Sequence, residues 1–113
     1  MNNDLLNKKC VERIGVDSMN KKAIIKYLKL LNNKWEVVDP PAGGKKITYT
    51  FKFKTFKEAI VFVDKTADLA ESENHHPNIH ILYNRVKIVL STHSVGGLSE
   101  NDFIVAAKIE QLL

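Results

Sequence analysis

The stretch Ile79-His80-Ile81-Leu82-Tyr83-Asn84-Arg85-Val86-Lys87-Ile88-Val89-Leu90 reads as two strands folded back on each other. Ile79–Tyr83 and Val86–Leu90 are short runs rich in β-branched and aromatic residues. The pair between them, Asn84-Arg85, suits a two-residue hairpin loop, because Asn tolerates the left-handed backbone such loops require. With that loop Tyr83 lies opposite Val86, Ile81 opposite Ile88, and Ile79 opposite Leu90. All six are large and apolar and share one face, so the expected register is self-consistent.

Upstream of the hairpin, Ile47, Tyr49, Phe51 and Phe53 alternate with Thr48, Thr50, Lys52 and Lys54, the period of a strand with one buried face. Trp35–Val38 predicts a shorter strand before it. Pro40-Pro41-Ala42-Gly43-Gly44 forbids regular structure and separates the two. Three helices complete the pattern. Asp17 or Ser18 caps the first, whose stripe is Ile24, Tyr27, Leu28 and Leu31, and Asn32-Asn33 ends it. Thr55 caps a long second helix with Phe56, Ala59, Ile60, Val63, Ala67 and Ala70 along one side. It runs out near Glu73-Asn74, before Pro77. After the Gly96-Gly97 turn, Ser99 caps the third helix, with Asp102 at capping-box spacing. Phe103, Ala106, Ala107, Ile109 and Leu113 form its apolar side. The order α-β-β-α-β-β-α predicts an α+β fold: a four-stranded antiparallel sheet with three helices on one face. At 113 residues the chain is expected to form one domain, with residues 1–17 a weakly structured lead-in.

Composition narrows the function. No apolar run approaches the length of a membrane helix, and the polar start Met1-Asn2-Asn3-Asp4 lacks the build of a signal peptide. A lone cysteine, Cys10, forms no internal disulfide. These features predict a cytoplasmic protein. The net charge of +4 raises the question of nucleic acid. However, the basic residues are scattered, none lies between Lys65 and Arg85, and only Arg13 and Arg85 are arginines. A solvated lysine surface accounts for them, and no nucleic-acid partner is expected.

The histidines carry the chemistry. His75, His76 and His80 fall within six positions, and His93 is the fourth. Extending the hairpin register outward brings Asn78 opposite Ser91, Pro77 opposite Thr92 and His76 opposite His93, on the face that the helices leave free. Imidazole titrates closest to neutrality, so clustered histidines can hold an acid and a base together. His80 points outward mid-strand and is read as a surface residue. A zinc site is the competing reading. Adjacent His75 and His76 point apart in an extended chain, and no cysteine is near, so no metal is assigned.

Several linked blocks then resemble one family. They are Glu71-Ser-Glu-Asn-His75-His76-Pro77, Tyr83-Asn84-Arg85-Val86, Leu90-Ser-Thr-His93 and Gly97-Leu98-Ser99-Glu100-Asn101-Asp102, preceded by Trp35-Glu36-Val37-Val38 and Phe51-Lys-Phe-Lys-Thr-Phe56. In this order and spacing they are similar to the pterin-4a-carbinolamine dehydratases. The resemblance implies a three-histidine site of His75, His76 and His93 that works without metal or cofactor. Glu71, Asn74, Pro77, Ser91, Thr92 and Asp102 are expected to bind the substrate. Asn74 stands where some relatives carry aspartate, and Asp102 doubles as a helix-capping residue. The implied reaction removes water from 4a-hydroxytetrahydrobiopterin in tetrahydrobiopterin recycling, and the implied assembly is a homodimer or homotetramer. An animal member also partners a homeodomain transcription factor, so a non-catalytic dimerisation module is the alternative.

Overall fold

The computed structural model describes residues 4–113, so the polar start at Met1-Asn2-Asn3 lies outside the described residues. The elements are α1 (Lys21–Leu28), β1 (Glu36–Val38), β2 (Lys46–Lys52), α2 (Phe56–Glu73), β3 (Asn78–Leu82), β4 (Arg85–Leu90) and α3 (Glu100–Glu110). The strands form one antiparallel sheet in the order β1-β2-β4-β3. This is the α+β arrangement that the sequence predicts. Among the described residues no helix is long and apolar enough to cross a membrane.

The sheet's period-two pattern decides which face meets the helices. Ile47 and Phe51 of β2 and Val86, Ile88 and Leu90 of β4 are buried, and they share a core with Ala59 and Phe62 of α2 and Phe103, Ala106 and Ala107 of α3. Burying one such large side chain contributes about 1.5–3 kcal/mol. The other face carries exposed Thr50, Lys52, His80 and Lys87. Phe62 fixes how α2 sits, with its ring 4.7 Å from that of Phe51 and 5.1 Å from that of Phe53. This contact turns the helix away from the expected stripe. The buried line is Ala59, Phe62, Thr66, Ala70 and Glu73, while Phe56 and Ala67 face solvent. Thr66 is accommodated because its hydroxyl donates to the Phe62 carbonyl at 2.8 Å.

The hairpin departs from its expected register. The turn residues are Tyr83-Asn84, not Asn84-Arg85, and the pairs are Leu82 with Arg85, Ile81 with Val86 and Ile79 with Ile88. Asn84 explains the slip. Its Nδ2 donates to the Phe53 carbonyl at 2.8 Å, and its own carbonyl accepts from the Phe53 N–H at 2.8 Å. These bonds tie the turn to the end of β2 and leave Tyr83 to take the positive φ of 56°. Ile81 and Tyr83 consequently lie exposed rather than in the core.

Smaller differences follow the same logic of local hydrogen bonding. Asn20, not Asp17 or Ser18, caps α1 by accepting from the Ala23 N–H. Thr55 caps α2, and Ser99 and Asp102 form the predicted capping box of α3. Leu113 is exposed, whereas Ile104 and Val105 join the core. The segment Asn101–Ala107 is therefore buried on all sides, and a helix of that kind needs cover all round.

The lead-in supplies the missing side. Asp4–Asn7 form a 3-10 turn that buries Leu5, and the following residues cross α3 as a strap without regular structure. The Cys10 N–H donates to Glu73 Oε1 at 2.9 Å. Asn101 accepts from the Val11 N–H and donates to the Val11 carbonyl. Lys8 Nζ and Tyr27 Oη both donate to Glu100 Oε2 at 2.8 Å.

The carboxylates that pin this strap set its response to acid. The Lys8 hydrogen bond, helped by Tyr27, holds Glu100 below the usual carboxylate range despite partial burial. Burial raises Glu73, but the Lys108 ammonium and the Cys10 N–H outweigh it and the net direction is down. A lowered folded-state value contributes stability above the ordinary carboxylate value of about 4.3, and that stability is lost as pH falls through the folded-state values. The urea midpoint is expected to drop progressively below about pH 4.3, with a shallower drop in the Glu73→Gln, Glu100→Gln double variant. An identical profile in the two proteins would contradict this account of the strap.

Candidate active site

The end of α2 aims two adjacent histidines in different directions. Asn74 adopts the left-handed conformation, φ 51° and ψ 41°. The Asn74 N–H donates to the Glu71 carbonyl and the His75 N–H to the Ala70 carbonyl, which closes the helix as a Schellman motif. Asn is suited to this position because its short polar side chain tolerates left-handed backbone. Beyond the turn the His75 side chain is 12% exposed and that of His76 is 54% exposed.

His75 Nε2 lies 2.7 Å from Asp102 Oδ1. Asp102 is completely buried, and a buried carboxylate must be matched by donors. Its other oxygen accepts from the Ser99 N–H at 3.0 Å and from Thr92 Oγ1 at 2.8 Å. An ionised carboxylate only accepts, so His75 places its proton on Nε2 and leaves the Nδ1 lone pair free when the ring is neutral. The Thr92 hydroxyl, committed to Asp102, accepts in turn from Ser99 Oγ at 2.7 Å. Asp102 thus ties the start of α3, the end of β4 and His75 into one network.

His76 Nε2 meets Glu71 Oε2 at the surface. A pair this exposed adds little stability. β4 ends at Leu90, and Thr92 bridges to Gly97 across a 3-10 turn, His93–Val95. Gly97 is required by close approach, since a Cβ there would stand 2.9 Å from Ser18 Cβ. The turn brings exposed His93 to a cavity of about 450 Å³ that is also lined by His76, Asn78, Ser91, Thr92, Lys46 and the glycines at 43, 44, 96 and 97. A second cavity, of about 460 Å³, is lined by His75, Asn74, Thr92 and Ser94 and is walled by the strap at Cys10–Ile14. Thr92 borders both.

The expected pairing of His76 with His93 is corrected by the register. Continued outward from Asn78 and Val89, the observed register sets His76 opposite Ser91. His93 reaches the same cavity through the 3-10 turn instead. Pro77, which has no N–H for a sheet ladder, stands just before the first paired residue of β3 and lines neither cavity. Glu71 touches His76 but lies outside both linings, and His80 sits apart on the open face opposite Lys87. Lys46 and the Cys10–Ile14 strap were not foreseen. The strap has no periodicity to signal it, and Lys46 looks like any strand-end lysine. The Cys10 thiol is pushed up to about 12 by burial and by neighbouring Glu73, which keeps it protonated and a poor nucleophile. Among the described residues no three His, Cys, Asp or Glu side chains converge as metal ligands.

Comparison with known proteins agrees with this architecture. The family profile described as pterin 4 alpha carbinolamine dehydratase matches residues 17–112. A protein of Legionella pneumophila strain Corby, named provisionally as a pterin-4-alpha-carbinolamine dehydratase, is 40% identical over 100% of this chain and 98% of its own length. A protein of Alkaliphilus metalliredigens with the same provisional name is 37% identical over 96% of each chain. The crystal structure of a transcriptional coactivator/pterin dehydratase from Brucella melitensis superposes with a TM-score of 0.77 at 35% identity, covering 85% of this chain and 98% of that one. A pterin dehydratase-like protein described as a RuBisCO assembly factor in the alpha-carboxysome shares the fold, with a TM-score of 0.60 at 24% identity over 72% of this chain and 90% of that one. The chain belongs to the pterin 4 alpha carbinolamine dehydratase family.

Proposed function

We propose that this chain removes water from a 4a-hydroxytetrahydropterin by histidine acid–base catalysis, within tetrahydrobiopterin recycling. The family supports pterin carbinolamine dehydratase activity in general. The observation that carries the finer reading is the cavity that His76 and His93 line together. One imidazole, protonated, gives its proton to the departing C4a hydroxyl. The other, neutral, accepts the N5 proton. The C4a–O bond breaks, the C4a–N5 double bond forms, and water and the quinonoid dihydropterin leave with no change of oxidation state. Each positioned acid or base is worth about 10²–10⁴ in rate.

His75 supports this pair from behind. Its Nε2 hydrogen bond to Asp102, which also accepts from Thr92 on the wall of the His76–His93 cavity, supports that wall and leaves Nδ1 as the nitrogen that exchanges protons. Ser91 and Asn78 supply polar groups for the pterin ring. Asn74 and Asp102 act through His75, and Glu71 acts through His76.

Turnover of enzymatically generated 4a-hydroxytetrahydropterin tests the reading. His76→Ala and His93→Ala are each expected to lower kcat/KM by about 10²–10⁴, and the pair by much less than the product of the single losses. Stability is expected to stay within about 0.5 kcal/mol, as for other exposed positions. Near-normal turnover in either single variant would remove that histidine from the mechanism.

Self-association is the second part of the proposal. β3 is an edge strand, and Ile81, Leu82 and Tyr83 at its end are exposed. Natural proteins pair or cover such edges. A homodimer or homotetramer is expected by sedimentation at micromolar concentration, and a monomer throughout would contradict it. The alternative, a non-catalytic partner module of the same fold, draws on the coactivator and assembly-factor descriptions of the structural neighbours. It predicts the same assembly with no turnover.

A further inference from the structure

The cavity of His76 and His93 contains a group that water elimination does not use. Continuing the β2–β4 register one step beyond Ile47 and Leu90 sets Lys46 opposite Ser91. Continuing the β3–β4 register sets His76 opposite the same Ser91. The ladders stop at Asn78 and Leu90, but Lys46, His76 and Ser91 all line the one cavity at this end of the sheet.

Lys46 is half-buried, and its ammonium forms no hydrogen bond or ion pair with another described residue. Among the described residues no carboxylate lines this cavity, whose ionisable groups are Lys46, His76 and His93. Glu71 meets His76 from outside the lining. A lysine beside solvent usually needs no explanation. One that lines a cavity with two imidazoles and no acid makes that cavity attractive to anions.

We propose that Lys46 is a specificity-determining residue that binds an anionic group, carboxylate or phosphate, on the C6 substituent of the pterin. This inference rests on the dehydratase reading given above and revises its substrate. Biopterin carries a neutral dihydroxypropyl group at C6, whereas an anionic C6 group is the better match to Lys46. In a tetrahydropterin C6 is bonded directly to N5, so the substituent leaves the ring beside the atom that loses its proton. A ring held between His76 and His93 sends its side chain along the cavity wall. The cation of that wall is Lys46. A charge-assisted hydrogen bond from its ammonium favours an anionic side chain over a neutral one.

The test is fluorescence titration of the full chain with 6-hydroxymethylpterin, pterin-6-carboxylate and the phosphate ester of 6-hydroxymethylpterin, at low and high salt. The anionic pterins are expected to bind about tenfold more tightly than the neutral one at low salt, and less so at high salt. Whichever anion gains more identifies the carried group. Lys46→Ala is expected to bring the neutral-to-anionic Kd ratio near one, and Lys46→Arg to retain most of the preference. Neutral pterin binding without anion preference, or a preference that survives Lys46→Ala, overturns this inference alone. Failure to bind any of the three pterins overturns the pterin reading and this inference together.

Discussion

A buried carboxylate has to be satisfied by the structure around it, and in this chain the fold closes around Asp102. It has no exposed surface, and its oxygens take donors from three directions: the Ser99 N–H at the start of α3, the Thr92 hydroxyl past the end of β4, and His75 Nε2 after α2. Leaving a buried charge without such partners costs several kcal/mol. The capping box that starts α3 is therefore also the device that locks one imidazole. A single side chain serves helix initiation, sheet-to-helix docking and site geometry. This shared use leaves no conflict between its capping role and the functional role proposed for it.

The strap extends the same economy. The family profile begins at residue 17, yet Cys10–Ile14 wall the cavity that holds His75. Asn101, next to Asp102 in sequence, pins Val11 through both its amide groups. Glu73, one residue before the Schellman turn, pins Cys10. The strap is thus anchored on the residues flanking the two ends of the His75–Asp102 link.

Much of the fold was legible because its signals are local. Thr55 and Ser99 announce helix starts, alternation from Ile47 to Phe53 announces a half-buried strand, and the spacing of Ser99 and Asp102 announces the capping box. What sequence reasoning lost was set by distant partners. The turn slipped by one residue because Asn84 bonds to Phe53, thirty-one positions away. The face of α2 rotated because Phe62 finds the rings of Phe51 and Phe53. At the site, His76 and His93 do share a cavity, but through a 3-10 turn rather than a paired register. His75 lines a separate cavity because the left-handed Asn74 reverses the chain. Lys46 and the strap residues carry no pattern that distinguishes them from solvated surface until the sheet end is assembled.

Asp102 holds the proton of a neutral His75 on Nε2. Long-range nitrogen–proton correlation spectra of protein labelled at histidine nitrogen report which ring nitrogen carries hydrogen. A neutral His75 is expected to carry its proton on Nε2, with Nδ1 bare. A neutral His75 protonated at Nδ1 instead would contradict it.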